Sequence, residues 1–291
     1  MGGGAWSFSD YTSYSTSMGR SIDSSTMSLT DNYSAQDLFT ASRIQKELNP
    51  YNVMRECCDS EEHPNTVPVI LALDVTGSMG EGAAQVAKKL NNVMTELYKK
   101  VEDVEFMIMG IGDLSYDEAP IQISQFESDI RIAEQLDRVY FERGGGGNRY
   151  ESYTAAWYMG LRHAKLDCWE RGKKGIIITM GDEYINPFLP ATELSRVTGD
   201  KLQGDVETDD LYKEVVKKYD VYHIAVDDAL TSYKWYKSDA KDYWGKYFDD
   251  DHFLEVSIDS IAQAIINIVS NSAGQDIEDE TSYNENGEIS W

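Results

Sequence analysis

The sequence predicts an α/β fold, a doubly wound, mostly parallel Rossmann-like sheet with helices on both faces. Three observations predict it. Residues 67–73 are a continuous apolar run of strand length, as a strand buried on both faces requires, and the largely apolar stretches 104–111 and 175–180 read as further buried strands. Helical patterns separate these runs, the clearest at residues 80–101, where Val86, Leu90, Val93, Met94, Leu97 and Val101 form one stripe. Hard oxygen side chains follow two of the runs directly, and ligands of doubly wound sheets bind beyond the carboxyl ends of the strands.

In chain order, residues 1–34 are rich in Ser, Thr, Gly and Tyr without a period of 2 or 3.6, which predicts a flexible, extended or disordered arm. Trp6, Phe8, Tyr11 and Tyr14 are unusual in such a segment and imply either loose packing on the domain or a docking segment. Ser34-Ala35-Gln36-Asp37 opens a short helix that Asn49-Pro50 stops, and residues 51–66 form a polar connector. The main domain spans residues 67–272. After the first strand and the long helix come strands at 104–111 and 120–126, able to pair as a hairpin, and a helix around 129–138. A glycine run leads to a helix at 151–166, then to the strand at 175–180. A helix at 209–219, strands at 221–226 and 253–256, and a closing helix at 258–269 complete the domain. Residues 273–291 read as a solvated acidic tail.

Composition narrows the function. With 51 acidic against 26 basic residues the chain carries a net charge of −25, so it repels nucleic acid and anionic lipid and attracts cations and basic protein surfaces. Its start lacks a basic region followed by an apolar one, and Trp6 stands where a myristoylated chain needs Ser or Thr. No apolar run approaches the length of a membrane span. Three cysteines, Cys57, Cys58 and Cys168, have neither metal-type spacing nor the number a disulfide framework needs. A cytoplasmic location is expected.

Three loops at one edge of the predicted sheet carry oxygen ligands. They are Asp74-Val75-Thr76-Gly77-Ser78-Met79-Gly80, the run from Arg143 through four glycines to Asn148-Arg149-Tyr150-Glu151-Ser152, and Thr179-Met180-Gly181-Asp182-Glu183. Carboxylates and hydroxyls without nearby His or Cys suit Mg²⁺, Mn²⁺ or Ca²⁺ and argue against zinc or copper. The alternative is that Asp74, Thr76 and Ser78 merely cap the next helix. Asp113 ends the second strand on the same side and either orients Asp74 or a metal-bound water, or serves as a turn residue. His63, His163, His223 and His252 have no ligand-like spacing; His223, inside a strand, reads as a packed core residue.

Asp74-Val75-Thr76-Gly77-Ser78 resembles the Asp-x-Ser-x-Ser signature of von Willebrand factor A (VWA) domains, with Thr in place of the first Ser. The resemblance covers roughly residues 66–272. It implies a metal-ion-dependent adhesion site (MIDAS) on a Rossmann-like fold, with Mg²⁺ as the expected ion. Thr76 and Ser78 would bind the metal through hydroxyls, and Asp74 and Asp182 would hold coordinating water. In the second loop many family members place a Thr. Here Asn148-Arg149-Tyr150-Glu151 is similar to the Pro-Glu version of integrin β subunits, which makes Glu151 the ligand and Thr154 the alternative.

The resemblance implies a divalent-cation-dependent module that captures an Asp or Glu of a protein partner, rather than an enzyme. Cytosolic bacterial relatives often work beside AAA-type ATPases, so such an ATPase or another complex subunit is an expected partner. The competing expectation is a Mg²⁺-dependent phosphohydrolase of haloacid dehalogenase type, because Asp-Val-Thr-Gly-Ser also resembles the Asp-Lys-Thr-Gly-Thr loop of P-type pumps. Asp74 would then be the nucleophile, with Asp182 and Glu183 holding Mg²⁺. That scheme gives the glycine run and Glu151 no role, and the chain shows no nucleophile–base pair.

Overall fold

The computed structural model describes residues 4–142, 148–226 and 241–277. Six strands form the central sheet: β1 (Val67–Asp74), β2 (Val104–Ile111), β3 (Ile121–Glu127), β4 (Gly175–Gly181), β5 (Tyr219–Val226) and β6 (Phe253–Val256). Their order is β6-β5-β4-β1-β2-β3, parallel throughout except for β3, which runs antiparallel to β2. The chain winds outward from β1 to one edge, returns to start β4 on the other side of β1, and winds outward again. The fold is therefore α/β and doubly wound, and its strand order reverses between β1 and β4, where such sheets open a ligand crevice.

β1 and β4 are buried along nearly their whole length, as continuous apolar runs in a two-sided sheet must be. Pro68 is tolerated inside β1 for a local reason. The Val67 amide faces β2, donating to the Asp103 carbonyl, so position 68 faces the β4 side. Pairing with β4 begins only at Val69, and no ladder bond is lost there.

Helices that flank the sheet among the described residues include α1 (Phe8–Ser17), α2 (Gly80–Tyr98), α3 (Arg131–Leu136), α4 (Thr154–Arg162), α5 (Ala191–Thr198), α6 (Thr208–Val215) and α7 (Ile261–Ser272). One face of the sheet is covered mainly by aliphatic side chains of α2 and α7, among them Leu90, Val93, Met94, Ile265 and Val269. The other face is more aromatic, with Trp157 and Tyr158 of α4 packed near Trp244 and Phe248. Helices on both faces bury the sheet and leave its strand ends as the accessible polar edges.

The amino-terminal segment departs from the extended arm that its composition predicts. Residues 8–17 form α1, capped by the Ser7 hydroxyl, and a two-stranded ribbon follows at residues 22–29. Tyr11 is buried, the Trp6 indole donates to Asn91 Oδ1 (3.0 Å), and Tyr14 and Arg20 both donate to Asp137 Oδ2 (2.7 and 2.6 Å). The aromatics therefore pack on the domain. A Ser- and Thr-rich helix lacks a readable apolar stripe, and these distant contacts hold it instead. The predicted helix at 35–48 reduces to one turn, Ala35–Leu38, and a 3₁₀ turn, Lys46–Leu48. The predicted helix at 151–166 begins only at Thr154 and ends at Arg162. The glycine run at 144–147 and the tail from 278 lie outside the described residues.

Candidate metal centre

β1 ends at Asp74, and the chain then turns through a 3₁₀ segment (Gly77–Met79) into α2. This turn folds three oxygen side chains back over the strand end. Asp74 is completely buried, yet its oxygens are engaged: Oδ1 accepts from the Thr76 amide (2.9 Å) and hydroxyl (2.6 Å), and Oδ2 accepts from the Tyr153 hydroxyl (2.8 Å). The Thr76 hydroxyl lies 3.4 Å from that of exposed Ser78, and Ser78 donates to Asp182 Oδ1 at 3.1 Å. Asp74, Thr76, Ser78 and Asp182 thus form one connected chain of oxygens across the β1–β4 crevice.

Glu151 enters from a third direction. It lies in a two-residue strand, Tyr150–Glu151, that pairs in parallel with Tyr184–Ile185 just beyond β4, in register Tyr184↔Tyr150 and Ile185↔Glu151. Its side chain is 6% exposed, and its Oε2 has no hydrogen-bond partner. Burial pushes its carboxyl far above the usual carboxylate range, to about 10, and Asp74, Asp117, Asp113 and Glu183 push in the same direction. Burial likewise raises Asp74, with Asp182 adding to the rise and the bonds from Thr76 and Tyr153 opposing it. A buried, unpartnered carboxylate among other acids is costly without a compensating positive charge.

The remaining expected residues fall into place differently. Thr154 is buried, and its hydroxyl accepts from Asn186 Nδ2 (2.6 Å) while its amide donates to Asn186 Oδ1 (3.1 Å), so it fastens the start of α4 to the loop after β4. Asp113 behaves as a turn residue: Oδ1 accepts from the Ser115 amide (2.7 Å), and its amide donates to Asp117 Oδ2 (2.7 Å). It also ties the second loop down, because Asn148 Nδ2 donates to Asp113 Oδ2. Burial raises Asp117 to about 6, with Glu142 and Asp113 adding to the rise. His223 is fully buried, stacked 3.7 Å from Trp244 and bonded to the Thr179 hydroxyl, the core role its strand position implies.

The site also contains a residue that sequence reasoning missed. Tyr153 is buried, its hydroxyl donating to Asp74 and accepting from the Glu183 amide at 3.2 Å, so one phenol links the first and third loops. Gly181 makes this possible: a Cβ there would overlap the Tyr153 hydroxyl. A Tyr two residues after Glu151 and a Gly before Asp182 are signals visible in the sequence, but their pairing is not.

The donor set suits a hard divalent cation: two neutral hydroxyls, carboxylates, and no sulfur or imidazole among the named groups. Among the described residues no group of three or more His, Cys, Asp or Glu side chains is placed to hold a metal ion by itself.

No family model and no curated protein matches the sequence. Solved structures similar to the chain include the pilus adhesin SpaC from Lactobacillus rhamnosus GG in its open conformation, at 13% identity and a TM-score of 0.46. That match covers 76% of this chain and 30% of the adhesin. The vWF domain of the type V pili tip protein Mfa5 from Porphyromonas gingivalis is similar at 14% identity and a TM-score of 0.44, covering 77% of this chain and 98% of that domain. Proximal thread matrix protein 1 from the mussel byssus is similar at 11% identity and a TM-score of 0.44, covering 73% of this chain and 48% of that chain. Among the described residues no helix is long and apolar enough to cross a membrane.

Proposed function

We propose that this protein is a metal-dependent protein-interaction module of the VWA type. One Mg²⁺, or Mn²⁺ or Ca²⁺ in its place, is held at the β1–β4 crevice and captures a carboxylate from a protein partner. The observation that carries the reading is Glu151: a buried carboxylate with an unpartnered oxygen, whose ionisation the neighbouring charge of Asp74 opposes. A dication would remove the repulsion among these acids and draw Glu151 into its ionised form. In this reading Thr76, Ser78 and Glu151 bind the ion directly, and Asp74 and Asp182 act through water. Tyr153 positions Asp74, and Thr154 is structural.

Bound to two hydroxyls, the Glu151 carboxylate and water, the ion would keep an electrophilic position for a partner's Asp or Glu, with a weaker pull than a shell of neutral donors would give. A subunit of a larger complex, such as an AAA-type ATPase, is one partner class that fits. The phosphohydrolase alternative draws no support from the site: Asp74 is fully buried with both oxygens accepting hydrogen bonds, a poor posture for a nucleophile.

Calorimetry on chelator-treated protein tests the metal. One site is expected, abolished by Asp74→Ala and by Thr76→Ala combined with Ser78→Ala; binding unchanged in both variants refutes the assignment. Capture of the partner acid is tested separately. A partner recovered in Mg²⁺ should be released by chelator at constant ionic strength. Release by high salt alone, with the complex stable to chelator, would instead identify diffuse attraction by the acidic surface, which is screened over about 8 Å at physiological strength.

A further inference from the structure

Beside the proposed metal centre three tyrosines gather. Tyr150 precedes Glu151, and Tyr184 lies two residues after Asp182; the parallel pairing puts them in register. Tyr243 lies against both, its ring 6.3 Å from Tyr150 and 4.8 Å from Tyr184, edge-on in each case, and Tyr150 and Tyr184 are 6.0 Å apart. Tyr184 is buried and Tyr150 half-buried, while Tyr243 is 48% exposed. The neighbouring Trp244 fixes the position of Tyr243: it is buried, and its indole donates to the Glu183 carbonyl at 3.2 Å. An exposed ring packed on Tyr150 and Tyr184 is an aromatic surface next to the acidic loop that follows β4.

Charge decides what such a surface suits. A tyrosine face attracts a cation through its quadrupole, and carboxylates nearby strengthen the attraction. The whole molecule, at −25, draws positive groups toward it. A planar guanidinium stacks on a ring more readily than a compact, strongly hydrated ammonium does. We propose that the Tyr150–Tyr184–Tyr243 cluster receives an arginine of the partner, placed a few residues from the acid bound at the metal. The proposal rests on the metal-capture reading and deepens it, making the recognised segment a paired acid and arginine rather than an acid alone.

Short synthetic peptides test it with the full chain in Mg²⁺. Each carries one Asp in a Gly/Ser background and one Arg at successive positions on either side, compared with the same peptide bearing citrulline, the neutral isostere. In at least one register the Arg peptide should bind about threefold to tenfold more tightly. Tyr243→Ala should erase that preference, Tyr243→Phe should keep it because the ring face remains, and Arg149→Gln, which removes a base next to Tyr150, should not abolish it. Equal binding of Arg and citrulline peptides in every register, a preference that survives Tyr243→Ala, or no binding by any peptide overturns the proposal. The two readings separate through the acid. If chelation or Asp→Asn in the peptide leaves affinity unchanged while the arginine preference still depends on Tyr243, metal capture fails and the tyrosine surface stands. If affinity needs both Asp and Mg²⁺ but ignores Arg, the tyrosine surface fails alone.

Discussion

The two ends of the central sheet handle acidic side chains in opposite ways. At the amino ends of the parallel strands the acids meet bases. Asp59 pairs with Arg171 and accepts from the Thr66 amide and hydroxyl, Asp103 faces His63, and Asp129 takes two bonds from the Arg131 guanidinium. Burial opposes ionisation of Asp59, but Thr66 and Arg171 outweigh it and hold its carboxyl below the usual range. At the carboxyl ends Asp74, Asp117 and Glu151 all shift upward, because burial is joined by other acids. Burial raises Glu105 and Glu127 at the amino edge as well, but there the Cys57 thiol donates to Glu105 and Arg131 pairs with Glu127, whereas neighbouring acids add to the rise of Asp74, Asp117 and Glu151. Asp74 and Glu151 lie near the strand-order switch point, where the proposed cation would offset the burial of their charge.

The largest expected effect that could break this contrast is on metal affinity. Glu151→Gln should weaken Mg²⁺ binding by well over tenfold in calorimetry, since it removes a formal charge from a hard-cation shell. Thr154→Ala should leave affinity nearly unchanged. The opposite ranking would assign the second loop's ligand to Thr154 and leave Glu151 as a structural acid.

The next effect is on stability against pH in metal-free protein. Below the unfolded-chain value of about 4.3, both states of Glu151 carry the proton. Above it the unfolded chain releases the proton, while the folded chain keeps it up to about 10. The stability this group contributes is therefore complete at low pH and is lost as pH rises toward 10, at about 1.4 kcal/mol per pH unit at most. Wild type should lose on the order of 2–3 kcal/mol relative to Glu151→Gln between pH 5 and 7 in urea titrations with chelator. Saturating Mg²⁺ should remove that loss. Parallel pH curves for the two proteins would show that Glu151 is not strained.

A smaller effect is expected for Tyr153→Phe, which removes the hydroxyl shared by Asp74 and the Glu183 amide. Stability should fall by about 1–3 kcal/mol and Mg²⁺ affinity by less than in Glu151→Gln, because the phenol positions a ligand without being one. If metal affinity is untouched while stability falls, Tyr153 is a core residue only. The smallest effect belongs to the compensated end: Arg171→Gln breaks a partly exposed pair and should cost no more than about 1 kcal/mol, without changing metal binding. A loss of metal affinity there would mean that the two ends are coupled, against the contrast drawn above.

The sequence by itself determined the doubly wound class, the strand runs at 67–73, 104–111 and 175–180, and the antiparallel partner of β2. Period and burial are written locally, in consecutive residues, and a strand buried on both faces leaves an unbroken apolar run. It also determined that Asp74, Thr76 and Ser78 fall at a strand end, because their spacing is local too. Only the tertiary structure decided how the second loop meets them. The helix that the sequence predicts from Glu151 starts at Thr154, since Glu151 instead pairs with Ile185 from the loop beyond β4. Likewise, nothing near Tyr153 in the chain announces that its hydroxyl reaches Asp74 through the space left by Gly181. The amino-terminal helix is the same case: Tyr14 and Arg20 find Asp137 more than a hundred residues away. Hydrogen bonds between distant segments form only once the core has set their positions, and no local pattern encodes them.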